Sequence, residues 1–292
     1  MTLPSGRIWV DGKVPVDPKG QPRIEDISPF IEEGPWSGDY AVFNMLIYGE
    51  PGEGKTPLVA TVVQVPEMMP ALLIDCDSGT LSARDYDTLN TVHLIQLARQ
   101  KRISPWRALE LVYAWLLYAK HDYRTIILDG GTDLQRFCEL ECIAVGKELR
   151  ADSGKEHDEE LAELSDYRRI QERMKRTYTR FRDLITVEGR RVNFLATAHE
   201  GKLKDNWTGE VTIQPLYLGR GAPIISSIFD IVARLVTDEK GVKYLVPRLV
   251  GKARGRDRSL SLGDRIPNPS MREVYKRILQ SEERRKKHAS SG

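Results

Sequence analysis

The eight residues Gly49-Glu50-Pro51-Gly52-Glu53-Gly54-Lys55-Thr56 fit G-x-x-x-x-G-K-[ST], and no other stretch restricts the fold as much. The pattern works only where a strand leads in and a helix leads out. Val42-Phe43-Asn44-Met45-Leu46-Ile47-Tyr48 is an apolar run of strand type, and Leu58-Val59-Ala60-Thr61-Val62-Val63 follows the loop. The glycines let the main chain wrap around an anion with successive N–H groups pointing inward. A helix starting near Lys55 adds the positive end of its dipole. Lys55 reaches β- and γ-phosphates, and the Thr56 hydroxyl is a Mg²⁺ ligand. The phosphate-contacting set is therefore Gly49, Glu50, Pro51, Gly52, Glu53, Gly54, Lys55, Thr56 and Pro57. Pro57 is unusual there. Proline is tolerated in a first helical turn, but it supplies no N–H to a phosphate. Weaker nucleotide binding than the pattern alone implies is the expectation.

With 292 residues, 40% of them hydrophobic and 29% charged, the chain suits one large α/β domain with extensions or two small domains. No run approaches a membrane span, and the N-terminus lacks a signal-peptide core, so a cytoplasmic protein is expected. Cys76, Cys138 and Cys142 cannot all pair. Without nearby histidines, Cys138 and Cys142 read as reduced packing residues rather than metal ligands. The net charge of +2 says nothing about nucleic acid.

Residues 1–40, rich in proline, glycine and acid, read as an N-terminal arm or a cap on the sheet. Residues 41–265 read as the core. Ala71–Asp75, Thr91–Ile95, Thr125–Asp129, Val192–His199, Ile231–Val236 and Tyr244–Leu249 are strand candidates. Helices are expected over Pro105–Tyr118, Thr132–Val145 and Ser165–Val187, with a charged loop at 146–162. Residues 266–292 read as a C-terminal helix and a charged tail, disordered from Glu282. Strands apolar on both faces and separated by helices predict an α/β fold: a mainly parallel sheet flanked by helices.

Ligands of such sheets bind at the carboxyl ends of strands. Asp129, closing Ile126-Ile127-Leu128, has the form of a Mg²⁺-holding Walker-B acid rather than an acid merely starting a turn. Asp75-Cys76-Asp77 places two carboxylates two apart. Either can orient an attacking water, and Asp77 can equally cap a helix. His199, with Thr197 before it, ends another strand and is a γ-phosphate contact or an edge cap.

In this order the parts resemble the RecA-like core of P-loop ATPases. More narrowly, they resemble the phage-encoded AAA-type family related to RecA and associated with single-strand annealing and recombination. The matching residues are 49–56, Leu73-Ile74-Asp75-Cys76-Asp77, Ile127-Leu128-Asp129, Ala196-Thr197-Ala198-His199 and Gly251-Lys252-Ala253-Arg254-Gly255-Arg256-Asp257-Arg258. They span about residues 42–260. The resemblance implies that Asp77 stands for the water-orienting glutamate, one methylene shorter, and His199 for the polar γ-phosphate sensor. It implies DNA-facing loops at 146–164 and 200–222. It also implies that Lys252 and Arg254 reach a neighbouring subunit's phosphates.

Arg248, Lys252, Arg254, Arg256 and Arg258 lie among glycines with one acid, Asp257, a pattern that tracks phosphates. Tyr167, Ile170, Met174, Tyr178, Phe181 and Ile185 make an apolar helical stripe, which leaves that helix's arginines a solvated face. Lys202, Lys204, Trp207, Tyr217 and Arg220 mix cations with aromatics, as single-strand binding requires; the bland alternative is a loop whose Trp207 packs down. The expectation is a RecA-like Mg-ATP-dependent ATPase on single-stranded DNA in recombination or repair. Its catalytic set is Lys55, Asp77, Asp129 and His199, with metal ligands Thr56 and Asp129. Its partners are its own copies, in a ring or filament, and a single-stranded-DNA-binding protein. A helicase or loader motor and a nucleotide-gated DNA-binding scaffold are the alternatives.

Overall fold

The computed structural model describes residues 42–79, 84–151, 164–205, 207–219, 221–248 and 251–289. Six parallel strands form the centre, and their sequences explain why. β1 (Asn44–Gly49), β2 (Ala71–Asp75) and β4 (Thr125–Asp129) are buried along their whole length, so both faces must be covered. β3 (Asn90–His93) closes one edge, while β5 (Asn193–Lys204) and β7 (Ile231–Thr237) flank β1. The parallel order is β3-β2-β4-β5-β1-β7. Antiparallel β8 (Lys243–Val246) pairs with β7, and β10 (Ile266–Pro267) pairs with β8. β9 (Arg256–Asp257) also pairs with β7.

Alternate residues of β1 supply two cores. Leu46 and Tyr48 join Trp106, Leu109 and Leu116 of α3 (Pro105–Tyr118), Leu134 and Cys138 of α4 (Gly131–Ala151), and α5 (Leu164–Arg182). Met45 and Ile47 join Leu58 and Val59 of α1 (Lys55–Ala60) and residues of α7 (Met271–Ala289). The other helices are α2 (Leu94–Lys101) and α6 (Gly221–Ser226). Phe194 of β5 stacks between Phe181 and Phe229, with ring centroids 5.6 and 5.5 Å away, which locks α5 to the sheet. Serine caps α3: Ser104 Oγ accepts from Arg107 N at 3.2 Å, and Pro105 follows at the first turn.

Several expectations need correction. The segment after His199 is no loop. β5 runs on to Lys204 and folds back as β6 (Val211–Pro215), an antiparallel hairpin. α4 continues through Ala151, so the charged stretch starts as helix; residues 152–163 lie outside the described residues. α5 stops at Arg182, which leaves Ile185 beyond it and exposed, and Tyr167 is exposed too; only Ile170, Met174, Tyr178 and Phe181 carry the stripe. The backbone from Glu282 to Ala289 is helical rather than a disordered tail. The expected C-terminal helix is α7, whose Met271, Val274, Tyr275 and Ile278 sink into the second core. The proposed arm, residues 1–40, lies outside the described residues. No helix among the described residues is long and apolar enough to cross a membrane. All three cysteines are buried and free.

Candidate functional site

The loop from Gly49 to Pro57 joins β1 to α1 at the carboxyl edge of the parallel strands. Gly54 has φ +93°, a left-handed conformation that costs a side-chain-bearing residue free energy. Gly49 is fixed by crowding: a Cβ there would lie 2.5 Å from the Leu235 carbonyl oxygen of β7. The Lys55 ammonium folds back over the loop and donates to the carbonyls of Gly49 at 3.1 Å and Glu50 at 2.9 Å. Burial pulls its pKa below that of a free lysine, against the attraction of Asp129, Asp77 and Glu53.

Asp129 is 1% exposed. One carboxylate oxygen accepts from Thr56 Oγ1 at 2.7 Å, and the other accepts from Thr197 Oγ1 at 2.5 Å. Thr197 in turn accepts from Gly130 N at 3.0 Å. Burial raises the Asp129 pKa, and the two threonine hydrogen bonds oppose it. A desolvated carboxylate beside a hydroxyl is an oxygen pair of the kind a hard divalent cation takes, so these residues fit Mg²⁺.

The other strand-end groups converge on the same space. Asp77 accepts from Gly79 N at 2.7 Å in a tight turn; its pKa is raised by partial burial and by the charges of Asp75 and Asp133. Asp75, beside Asp77, also accepts from Ser78 N at 2.8 Å and pairs with His93 Nδ1 at 2.9 Å. Main-chain N–H of His199 donates to Thr132 Oγ1 at 3.0 Å, Nε2 stands 3.9 Å from Asp133, and buried Nδ1 has no partner. Together Pro51, Gly52, Gly54, Lys55, Thr56, Pro57, Asp77, Asp129, Thr197 and His199 line one cavity of about 330 Å³. Lys243 of β8 lines it as well. Sequence reasoning missed Lys243, because only the strand order brings β8 to the loop.

The remaining candidates lie apart from this cavity. Lys252 and Arg254 bracket Ala253, which bridges to Ile213 of β6. Ile213 N donates to Lys252 O, and Arg254 N donates to Ile213 O, both at 2.8 Å. The Tyr48 hydroxyl donates to Arg254 O, tying this strap to β1. With Arg256, Thr212 and Glu210, the two cations line a separate groove of about 660 Å³. Lys202 and Lys204 are exposed on the hairpin, Lys202 Nζ lying 3.7 Å from Glu50. Trp207, at the hairpin turn, is 97% exposed and does not pack down. Tyr217 is corrected: it is core, its hydroxyl 2.8 Å from that of Tyr178. Arg220 lies outside the described residues.

Residues 42–289 match the model of the AAA domain family. The chain belongs to that AAA domain family. The sheet is mainly parallel and flanked by helices, with β5 inserted between the loop strand β1 and the Asp129 strand β4. Among solved structures, a crystal structure of the RadB recombinase is similar at 11% identity and a TM-score of 0.38, over 73% of this chain and 84% of that one. No curated protein matches the chain.

Proposed function

We propose that this AAA domain protein is a Mg-ATP-dependent ATPase that binds single-stranded DNA in recombination or repair of the phage type, by strand annealing or exchange. The observation that carries the reading is the Thr56–Asp129–Thr197 hydrogen-bond chain standing beside Lys55 in one cavity. Thr56 and Asp129 are the residues to hold Mg²⁺, which supplies charge neutralisation between phosphate oxygens. The amides of the Gly49–Thr56 loop seat the phosphates, and Lys55 trades its two carbonyl contacts for phosphate oxygens. Asp77, exposed to the cavity, orients the water in line with the γ-phosphate. His199 lines the same cavity and stands as the polar group at the γ-phosphate end of the nucleotide.

Lys252 and Arg254 act across a subunit boundary, in a ring or filament, because within the chain they line a different groove. The exposed hairpin supports the DNA role: Trp207 offers a bare ring for stacking, flanked by the cations Lys202 and Lys204. The protein works in the cytoplasm, the host's where the gene is phage-borne, beside a single-stranded-DNA-binding protein. A second reading, a nucleotide-gated scaffold with slow turnover, draws on two residues. Pro57 gives no N–H to the phosphates, and Asp77 is shorter than a glutamate.

The test is ATP turnover and nucleotide binding with and without single-stranded DNA. Turnover stimulated by DNA and abolished in Lys55→Ala, together with lost ATP binding, is the expected result. Unchanged binding in Lys55→Ala rejects the site. Binding without turnover selects the scaffold, and strand separation by the wild type selects a motor.

A further inference from the structure

The parallel pairing of β7 with β1 places the β7–β8 hairpin directly over the phosphate loop. Two contacts fix the hairpin there. Thr237 Oγ1, at the end of β7, donates to Glu53 Oε2 of the loop at 2.5 Å. Its cross-strand partner is Lys243, the first residue of β8. The Lys243 ammonium lies against Gly54 so closely that a Cβ at Gly54 would sit 2.5 Å from Nζ. Glycine at 54 serves the left-handed backbone, and its bare Cα leaves the lysine end free to lie against the loop.

Lys243 is exposed, lines the same cavity as Lys55, Asp77 and Asp129, and has no carboxylate within ion-pair distance among the described residues. Holding a rotamer-rich lysine beside a bare glycine costs conformational entropy with no charge partner in return. An anion seated on the loop supplies that partner. The loop also has room for one more donor. Pro57 contributes no N–H to an anion seated there.

We propose that Lys243 is a second phosphate-binding cation of this site, delivered in cis by the β7–β8 hairpin, and that it selects nucleotides carrying a β–γ polyphosphate end. The inference deepens, and rests on, the nucleotide reading above. Its chemical signature is charge-dependent. An ammonium near Gly54 attracts a triphosphate more than a monophosphate and leaves base and ribose recognition untouched.

The test is direct binding titration of ATP, ADP, AMP and inorganic pyrophosphate, with Mg²⁺, to the full chain. Wild type, Lys243→Gln, Lys243→Arg and Lys55→Ala are compared at two salt concentrations. Lys243→Gln is expected to weaken ATP and pyrophosphate about tenfold, the scale of one lost charge-assisted hydrogen bond, and to flatten the salt dependence. AMP should change little, and Lys243→Arg should keep most of the ATP affinity. ATP and pyrophosphate binding unchanged in Lys243→Gln, while Lys55→Ala loses both, overturns the role of Lys243 alone. If wild type and Lys55→Ala titrate identically, the nucleotide reading itself fails.

Discussion

Asp129 concentrates the energetic conflict of the site in one carboxylate. Two threonine hydroxyls satisfy its oxygens, yet the charge is buried and its pKa is raised by that burial. A carboxyl whose folded pKa lies above its unfolded one is destabilising once ionised. The folded state holds the proton more tightly, so stability falls as pH climbs from the unfolded pKa through the folded one. A divalent cation beside Thr56 reverses the penalty. Asp129→Asn keeps the shape and a hydrogen-bond acceptor while removing the charge. It should raise the melting temperature of the nucleotide-free protein by roughly 2–4 °C, about 1 kcal/mol, while abolishing the further rise given by Mg-ATP. For the wild type, thermal unfolding should show a larger Mg-ATP shift at pH 7.5 than at pH 5, because ionised Asp129 is the form a cation rewards. A destabilised Asp129→Asn protein, or an equal shift at both pH values, contradicts this account of the carboxylate.

At the scale of elements, the β5–β6 hairpin projects beyond the sheet and carries Trp207 with nothing packed on it. Trp207→Ala should leave the melting temperature unchanged and weaken single-stranded DNA about tenfold, within the 1–3 kcal/mol typical of one stacked base. Lys202→Ala combined with Lys204→Ala should reduce the salt slope of DNA binding instead. Wild-type DNA affinity in both variants removes the hairpin from the interface. This hairpin was illegible in the sequence for a physical reason. Residues 202–204 are exposed and 211–213 only half-buried, with burial reached at Gln214 and Pro215 at the base, so no continuous buried face imprints a two-residue apolar rhythm on the pair. β1, β2 and β4 were legible because a strand covered on both sides must be apolar throughout. α7 misled through its charge. Residues 282–287 are all Glu, Arg or Lys, each a good helix former, so a charged run need not be a disordered one. The candidate site was legible where chemistry dictates spacing, from Gly49 to Thr56. It was hidden where tertiary pairing decides, as with Lys243 and with the bond from Thr197 to Asp129.

At the scale of the whole molecule, the cations proposed for phosphates divide into two places. Lys55 and Lys243 line the cavity, whereas Lys252 and Arg254 line another groove, where the strap is anchored by main-chain bonds to Ile213 and by Tyr48. Those anchors are made by the backbone of residues 252 and 254, so replacing either side chain leaves the strap in place. If the groove cations complete a neighbour's site, an isolated chain holds nucleotide without completing the charge stabilisation needed for turnover. Specific activity should then rise with protein concentration. Arg254→Ala should keep ATP affinity while losing turnover on the order of 10³-fold, the lower scale of a missing arginine finger. Lys55→Ala fails for the opposite reason: its own cavity is dead and its outward cations are intact. Mixing the two inactive variants pairs an intact cavity with an intact neighbouring cation at some boundaries. Turnover should reappear in the mixture and grow with concentration. A mixture as inactive as its components, across concentrations at which the wild type assembles, would confine the chemistry to a single chain and overturn the trans role of Arg254.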